Sequence, residues 1–192
     1  MRLLYLHGFN SSPMSFKAQA LMRYMREHGC LHKLICPQIP GIPEQARQFL
    51  ESLVERELKA GELAFAGSSL GGYYATYLAE KYSGTAVLIN PSVRPYETLE
   101  ACLGENKFYH SDEYWQFDQS HIDQLKTMEV EQITEPDRYL VLLQTGDETL
   151  DYRQAAEKYK QCRCVIEEGG DHAFIGFEDY IQQILEFSGI DC

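Results

Sequence analysis

What the chain lacks narrows its reading before any motif is considered. It has no long hydrophobic run: the apolar stretch Leu3–Leu6, in MRLLYLHGF, is too short for a signal core or a membrane span, so a soluble cytoplasmic protein is expected. Positive charge is scarce, with 17 Lys and Arg against 29 Asp and Glu and a formal net charge of -12. Such a field repels phosphate backbones and anionic lipid surfaces, and neither nucleic acid nor a membrane is expected as a partner. Metal-ligand spacings are missing too. The six cysteines (Cys30, Cys36, Cys102, Cys162, Cys164 and Cys192) contain no CxxC pair. Cys162 and Cys164 fall on one face of an expected strand but cannot form a zinc site alone, so reduced structural thiols are expected. His110, Asp112, Glu113, Asp118 and His121 crowd one segment without HExxH-type spacing and read as a polar surface. No metal and no cofactor are expected, and oligomeric state is left open.

What is present suits one domain over residues 1–192, since a chain of this length with 44% hydrophobic residues can bury a single core. Short β-rich runs alternate with segments of helical period. Leu3–Leu6, Lys33–Cys36, Leu63–Ala66, Thr85–Ile89, Tyr139–Leu143 and Arg163–Ile166 are the expected strands, each apolar enough to be buried on both faces. Ser15–His28, Glu44–Lys59, Leu70–Tyr82, Tyr152–Tyr159 and Phe174–Phe187 carry apolar positions three and four apart, and the first four read as crossovers of right-handed βαβ units. The class is therefore α/β, with a mostly parallel sheet covered by helices on both faces. Between the fourth and fifth strands lies Val93–Asp137, rich in aromatics and too long for an ordinary connection; a cap or lid insertion is expected there.

The stretch LAFAGSSLGGYYATYLAEK sets two serines between glycines. A sharp strand-to-helix turn that exposes a nucleophile needs glycine two residues before and two after it, because side chains there collide with neighbouring strands. Gly67 and Gly71 frame Ser69 at that spacing, whereas Ser68 would need glycine at Ala66 and Leu70. Ser69 then stands at a helix N-terminus, where the dipole favours developing negative charge. A serine nucleophile needs a base, and the base needs a carboxylate to fix its tautomer. His172 in EEGGDHAFIGFEDY and Asp147 in VLLQTGDETLDY supply both in the chain order serine, acid, histidine, which is that of α/β-hydrolases. Asp151 and Asp171 are rival acids. Asp147 is preferred because a residue just past a strand end is held better than one inside the following helix.

Acyl transfer also needs donors for the developing oxyanion. Leu70 N–H, following the serine, is one; Phe9 N–H, in the turn that Gly8 allows after the first strand, is the other. His7 beside it is expected to orient that loop and not to act as the base.

The segments LLYLHGFNSSP, GSSLGGYYATYLAE, INPSVRPYE, QTGDETLDYRQA and GGDHAFIGFEDY together resemble those of the small bacterial YqiA-type esterases, a compact branch of the α/β-hydrolase fold, from end to end. The resemblance implies Ser69 as nucleophile, Asp147 as acid and His172 as base, acting on acyl esters, with acyl-CoA thioesters as a second class. It also implies six strands in spatial order 2-1-3-4-5-6, opening at the strand that carries the HG pair. Ligands of open α/β sheets bind where the winding reverses, here between the first and third strands. A hydrolase of peptides, lactones or carbon–carbon bonds would use the same triad, and a non-catalytic binding module would use the same fold. For substrate, the insertion interleaves aromatics with acids, so its inner side, with Tyr109 and Trp115, is expected to line an apolar acyl pocket. The net charge disfavours anionic thioesters unless groups such as Arg94 and Lys107 offset it, so short to medium uncharged acyl esters are the expected small-molecule substrates.

Overall fold

The computed structural model describes residues 1–192 in full. In chain order come β1 (Arg2–Leu6), α1 (Phe16–Glu27), β2 (Leu34–Ile35), α2 (Pro43–Leu58), β3 (Leu63–Ser69), α3 (Leu70–Tyr82) and β4 (Ala86–Pro91). After an insertion follow β7 (Tyr139–Gln144), α6 (Tyr152–Lys158), β8 (Arg163–Glu167) and α7 (Ile181–Phe187). The six strands pair in parallel throughout, in the order β2-β1-β3-β4-β7-β8. This is the 2-1-3-4-5-6 order that the family resemblance implies.

The alternation of side chains along each strand splits the interior into two layers. Leu4 and Leu6, Leu63 and Phe65, and Tyr139 and Val141 face one side, under α2, α3 and α6. Leu3 and Tyr5, Ala64 and Ala66, and Leu140 and Leu142 face the other, under α1 and α7. Right-handed crossovers require this division. The step from β1 to β2 runs one way along the sheet and the later steps run the other way, so α1 lies on the face opposite α2, α3 and α6.

The expectation that every strand is buried on both faces fails at the two edges. β2 is a half-buried two-residue strand, and β8 leaves Arg163 and Ile166 exposed, because the helices do not extend over the sheet margins. The final helix is also shorter than its apolar period suggests. Phe174 and Gly176 both take left-handed backbone angles, and a 3-10 turn over Phe177–Tyr180 precedes α7.

The insertion holds a short helix α4 (Pro95–Thr98), a 3-10 turn Leu99–Cys102, an antiparallel hairpin β5 (Gly104–Lys107) and β6 (Tyr114–Phe117), and α5 (Gln119–Lys126). Asp118 and His121 cap α5 reciprocally, each side chain satisfying a backbone N–H of the first turn. Phe117, Ile122, Leu125 and Met128 are buried in the same layer as α2 and α3, so much of the insertion is anchored in the core.

One cysteine expectation is corrected. Cys30, just after α1, and the C-terminal Cys192 form a disulfide, while Cys36, Cys102, Cys162 and Cys164 stay free. The pairing arises because the tail beyond α7 returns along the face that carries α1, a proximity no local spacing encodes. The bridge closes a loop of 162 residues in sequence separation. Cys192→Ser should lower unfolding free energy by about 2–4 kcal/mol without reductant and by nothing measurable with it, as read by urea denaturation; equal stability in both conditions would show that the bridge does not form.

Candidate active site

The site is built outward from Ser69. β3 ends and α3 begins at this residue, whose backbone is held at φ 56° and ψ -123°, a conformation that side-chain-bearing residues rarely adopt. The glycines around it are sterically required. A Cβ on Gly67 would run into the Gly71 carbonyl, and one on Gly71 would strike the Leu6 carbonyl at the end of β1. At Gly8 an added Cβ would come within 3.3 Å of Ser69 Cβ. The two loops are thus pressed together at the C-terminal end of the sheet, at the reversal of winding between β1 and β3. Ser68 lies in the strand, in register with Ile89.

Ser69 Oγ lies 3.1 Å from His172 Nε2, and His172 Nδ1 lies 2.8 Å from Asp147 Oδ2 and 3.0 Å from Oδ1. A carboxylate can only accept, so Nδ1 carries the hydrogen and the Nε2 lone pair is left to accept from the serine hydroxyl. Burial pushes the Asp147 carboxyl pKa up. The bond from His172, with those from the N–H groups of Leu150 and Thr149, outweighs that and holds it below the ordinary value. The Asp147 side chain is 2% exposed and the His172 ring 23%. Asp151 is occupied elsewhere: it caps α6 through Arg153 N–H and pairs with the Arg153 guanidinium.

On the other side of Ser69, Phe9 and Leu70 both line the pocket that contains the serine. Phe9 N–H donates to no backbone acceptor. Leu70 is the first residue of α3, where an N–H has no partner within the helix. His7 is fixed by two bonds, with Nε2 accepting from Ile39 N–H at 3.1 Å and Nδ1 donating to the Gly8 carbonyl at 3.1 Å. Burial, with His110 nearby, outweighs the Gly8 bond and lowers its pKa, in keeping with a neutral ring that braces the loop.

Residues with no catalytic signature hold the His172 loop. Asn90, at φ 39° near the end of β4, donates to the Asp171 carbonyl and accepts from Gln144 N–H, both at 3.0 Å. Gln144 Oε1 accepts from the N–H groups of Asp171 and Ile175, while its Nε2 donates to the Ile175 carbonyl. Their one trace in the sequence is polarity at the ends of otherwise apolar strands, in LIN and LLQ.

The pocket around Ser69 has a volume of about 480 Å³, with Leu70, Pro95, Leu99, Cys102 and Leu150 among its walls. A larger cleft of about 850 Å³, bounded by Arg94, Glu129, Arg153 and Lys158, contains none of Ser69, Asp147 and His172. Tyr109 lines the smaller pocket and is 72% exposed, at its mouth. Trp115, expected beside it, does not line the pocket. Its Nε1 donates to Asn10 Oδ1 at 2.9 Å and its ring packs on Phe9 and Phe117, so it fastens the insertion to the Phe9 loop. Arg94 and Lys107 also lie outside, facing Glu97 and Asp112. The acidic and histidine residues of the insertion do not converge: His121 is spent on its cap and stacks on Phe117, and Asp112 pairs with Lys107.

Known proteins extend this picture. The model of a family described as "Uncharacterised protein family (UPF0227)" matches residues 2–189. The UPF0227 protein YcfP of Salmonella gallinarum is 25% identical over 195 residues, covering 96% of this chain and 97% of that protein. Among solved structures, the mouse alpha/beta hydrolase domain-containing protein 10 superposes with a TM-score of 0.74 at 17% identity, over 96% of this chain and 88% of that one. Est1E from Butyrivibrio proteoclasticus with ferulic acid bound gives 0.73 at 16%, over 97% and 88%. At such identities the likeness establishes the fold, that of the α/β-hydrolases.

The polar clamp on the His172 loop has a direct test. Gln144→Leu removes the acceptor of the part-buried N–H groups of Asp171 and Ile175 and should destabilise the protein by about 1 kcal/mol. Amide hydrogen exchange should accelerate across 171–175 while β1 and β3 stay protected; uniform exchange across the sheet would show that Gln144 does not hold this loop in particular.

Proposed function

The chain belongs to the UPF0227 family, and from that premise and its α/β-hydrolase fold we propose that it is a serine esterase acting on short to medium acyl esters through a covalent acyl-enzyme. The observation that carries this reading is a single imidazole bonded at Nε2 to Ser69 Oγ and at Nδ1 to Asp147. In the first half-reaction His172 Nε2 takes the hydroxyl proton as Ser69 Oγ bonds to the ester carbonyl carbon. Negative charge passes to the carbonyl oxygen, towards the N–H groups of Phe9 and Leu70. Collapse breaks the bond to the alcohol oxygen, which leaves with the proton from His172. Water then repeats the sequence: it gives a proton to His172, attacks the acyl carbon, and releases the carboxylic acid while Ser69 recovers its proton. Asp147 stays ionised throughout and stabilises the imidazolium.

The strain at Ser69 argues against a binding module without chemistry, since backbone held in a sparsely populated region costs on the order of 1–3 kcal/mol and presents this hydroxyl to the pocket. The pocket size and its aliphatic walls favour an acyl chain over a bulky peptide. Thioesters remain the secondary substrate class, as Arg94 and Lys107 do not contribute charge there.

A fluorophosphonate should label wild-type protein at Ser69 and leave Ser69→Ala unlabelled; labelling at Ser68 or none at all would defeat the proposal. On p-nitrophenyl esters, Ser69→Ala should lower kcat by a factor on the order of 10^6, with Ser68→Ala retaining most activity. Asp147→Asn should lower kcat by about 10^4 and Asp151→Asn by far less. A larger loss at Asp151 would move the acid one helical turn along the chain.

A further inference from the structure

The charge around Ser69 runs against that of the protein. The chain has 29 acidic residues, yet none of them lines the pocket, and its single Lys or Arg is Lys17. Lys17 stands in the first turn of α1, and its Nζ donates to the Ala173 carbonyl at 2.8 Å; Ala173 also lines the pocket, so the ammonium lies at the cavity wall. That neutral carbonyl is its one hydrogen-bond partner, and no carboxylate comes within ion-pair distance. Asp171 and Asp147 act on it only from farther off. Burial lowers its pKa to about 8 against their opposing pull, which leaves it mostly protonated at neutral pH. Lys17 is half-buried and its bond to Ala173 is open to solvent, and a negative group entering the pocket would give this ammonium the charge-assisted partner it lacks.

The position also indicates which half of an ester would carry the charge. His172 returns its proton to the departing alcohol, so the alcohol must lie along His172, and Lys17 is bonded to the very next residue. Resting on the esterase reading above, we propose that this pocket takes esters whose alcohol portion bears an anionic group, a carboxylate or a phosphate, which Lys17 receives. This class differs from the uncharged esters expected from composition. The charge that offsets the acidic surface comes from α1 and not from Arg94 or Lys107.

The test uses three butyrate esters with one acyl group: those of 4-hydroxybenzoate, 4-hydroxyphenyl phosphate and the neutral 4-hydroxybenzamide. Wild type should favour one or both anionic esters in kcat/KM over the amide, and Lys17→Met should reduce that preference about tenfold or more, the worth of one charge-assisted hydrogen bond. Lys17→Arg should keep much of it, and Lys107→Met should leave it unchanged. Which anionic ester responds more tells carboxylate from phosphate. An equal loss on all three esters in Lys17→Met would mean that Lys17 only holds the Ala173 carbonyl, and the absence of any wild-type preference would likewise overturn the proposal. Binding separates this inference from the esterase reading. In Ser69→Ala, the Kd for the anionic esters should be lower than for the amide, and the added Lys17→Met change should erase the difference. A preference in Kd without any turnover by wild type would remove the esterase and keep the anion site; no preference in Kd would remove the anion site whether or not esters are hydrolysed.

Discussion

Steric exclusion at the turn between β3 and α3 is the constraint on which the rest of the site depends. Only glycine fits at Gly67 and Gly71, because each faces a backbone carbonyl at a separation that leaves no room for a methyl group. The close approach of α3 to the end of β1 brings Leu70 and Phe9 to the walls of the pocket that contains Ser69. Ser69 there takes its positive-φ conformation, a local cost on the order of 1–3 kcal/mol set against the packing of the buried central strands. The same packing that makes the hydroxyl accessible therefore also makes it costly to hold, and it rests on the central strands, of which β4 and β7 are buried along their whole length and β1 and β3 at every residue but one.

The opposite half of the site obeys a different rule. His172 and Asp147 come from loops, and loops are held by hydrogen bonds more than by close packing. Asn90 and Gln144 project from strand ends into the His172 loop and satisfy its backbone groups, while Phe174 plugs the loop into the layer beneath α1 and α7. Buried polar networks of this type are strong when complete and costly when one member is lost. The imidazole is thus oriented by residues that never touch the reacting atoms, as a site that must hold geometry to a fraction of an ångström requires.

Charge is arranged with the same economy. The carboxylates that give the chain its net charge of -12 all lie outside the pocket, Asp147 among them, buried behind His172. The insertion closes one side of the cavity with Tyr109 at the mouth. Its Trp115 and Phe117 are committed to packing against Phe9, so the insertion and the loop that carries Phe9 form one unit.

The sequence by itself determined the α/β class and the choice of Ser69 over Ser68 as the serine framed by glycines. Both rest on a periodicity or a spacing confined to a few consecutive residues, and a tight turn or a buried strand is visible at that range; the order of the strands came instead from the family resemblance. The candidates His172 and Asp147 were legible by the same means, as a histidine in a glycine-rich loop and an acid just past a strand. Tertiary structure alone decided that Asp147 and not Asp151 faces His172, that Trp115 braces a loop outside the pocket, and that Cys30 meets Cys192. It also decided that Asn90 and Gln144 clamp the His172 loop and that Lys17 stands at the pocket wall. These are meetings between groups far apart in the chain, which depend on how the crossovers stack helices on the two faces of the sheet. No local pattern records which side chain will lie opposite which, because that distance is set only when the whole sheet has closed.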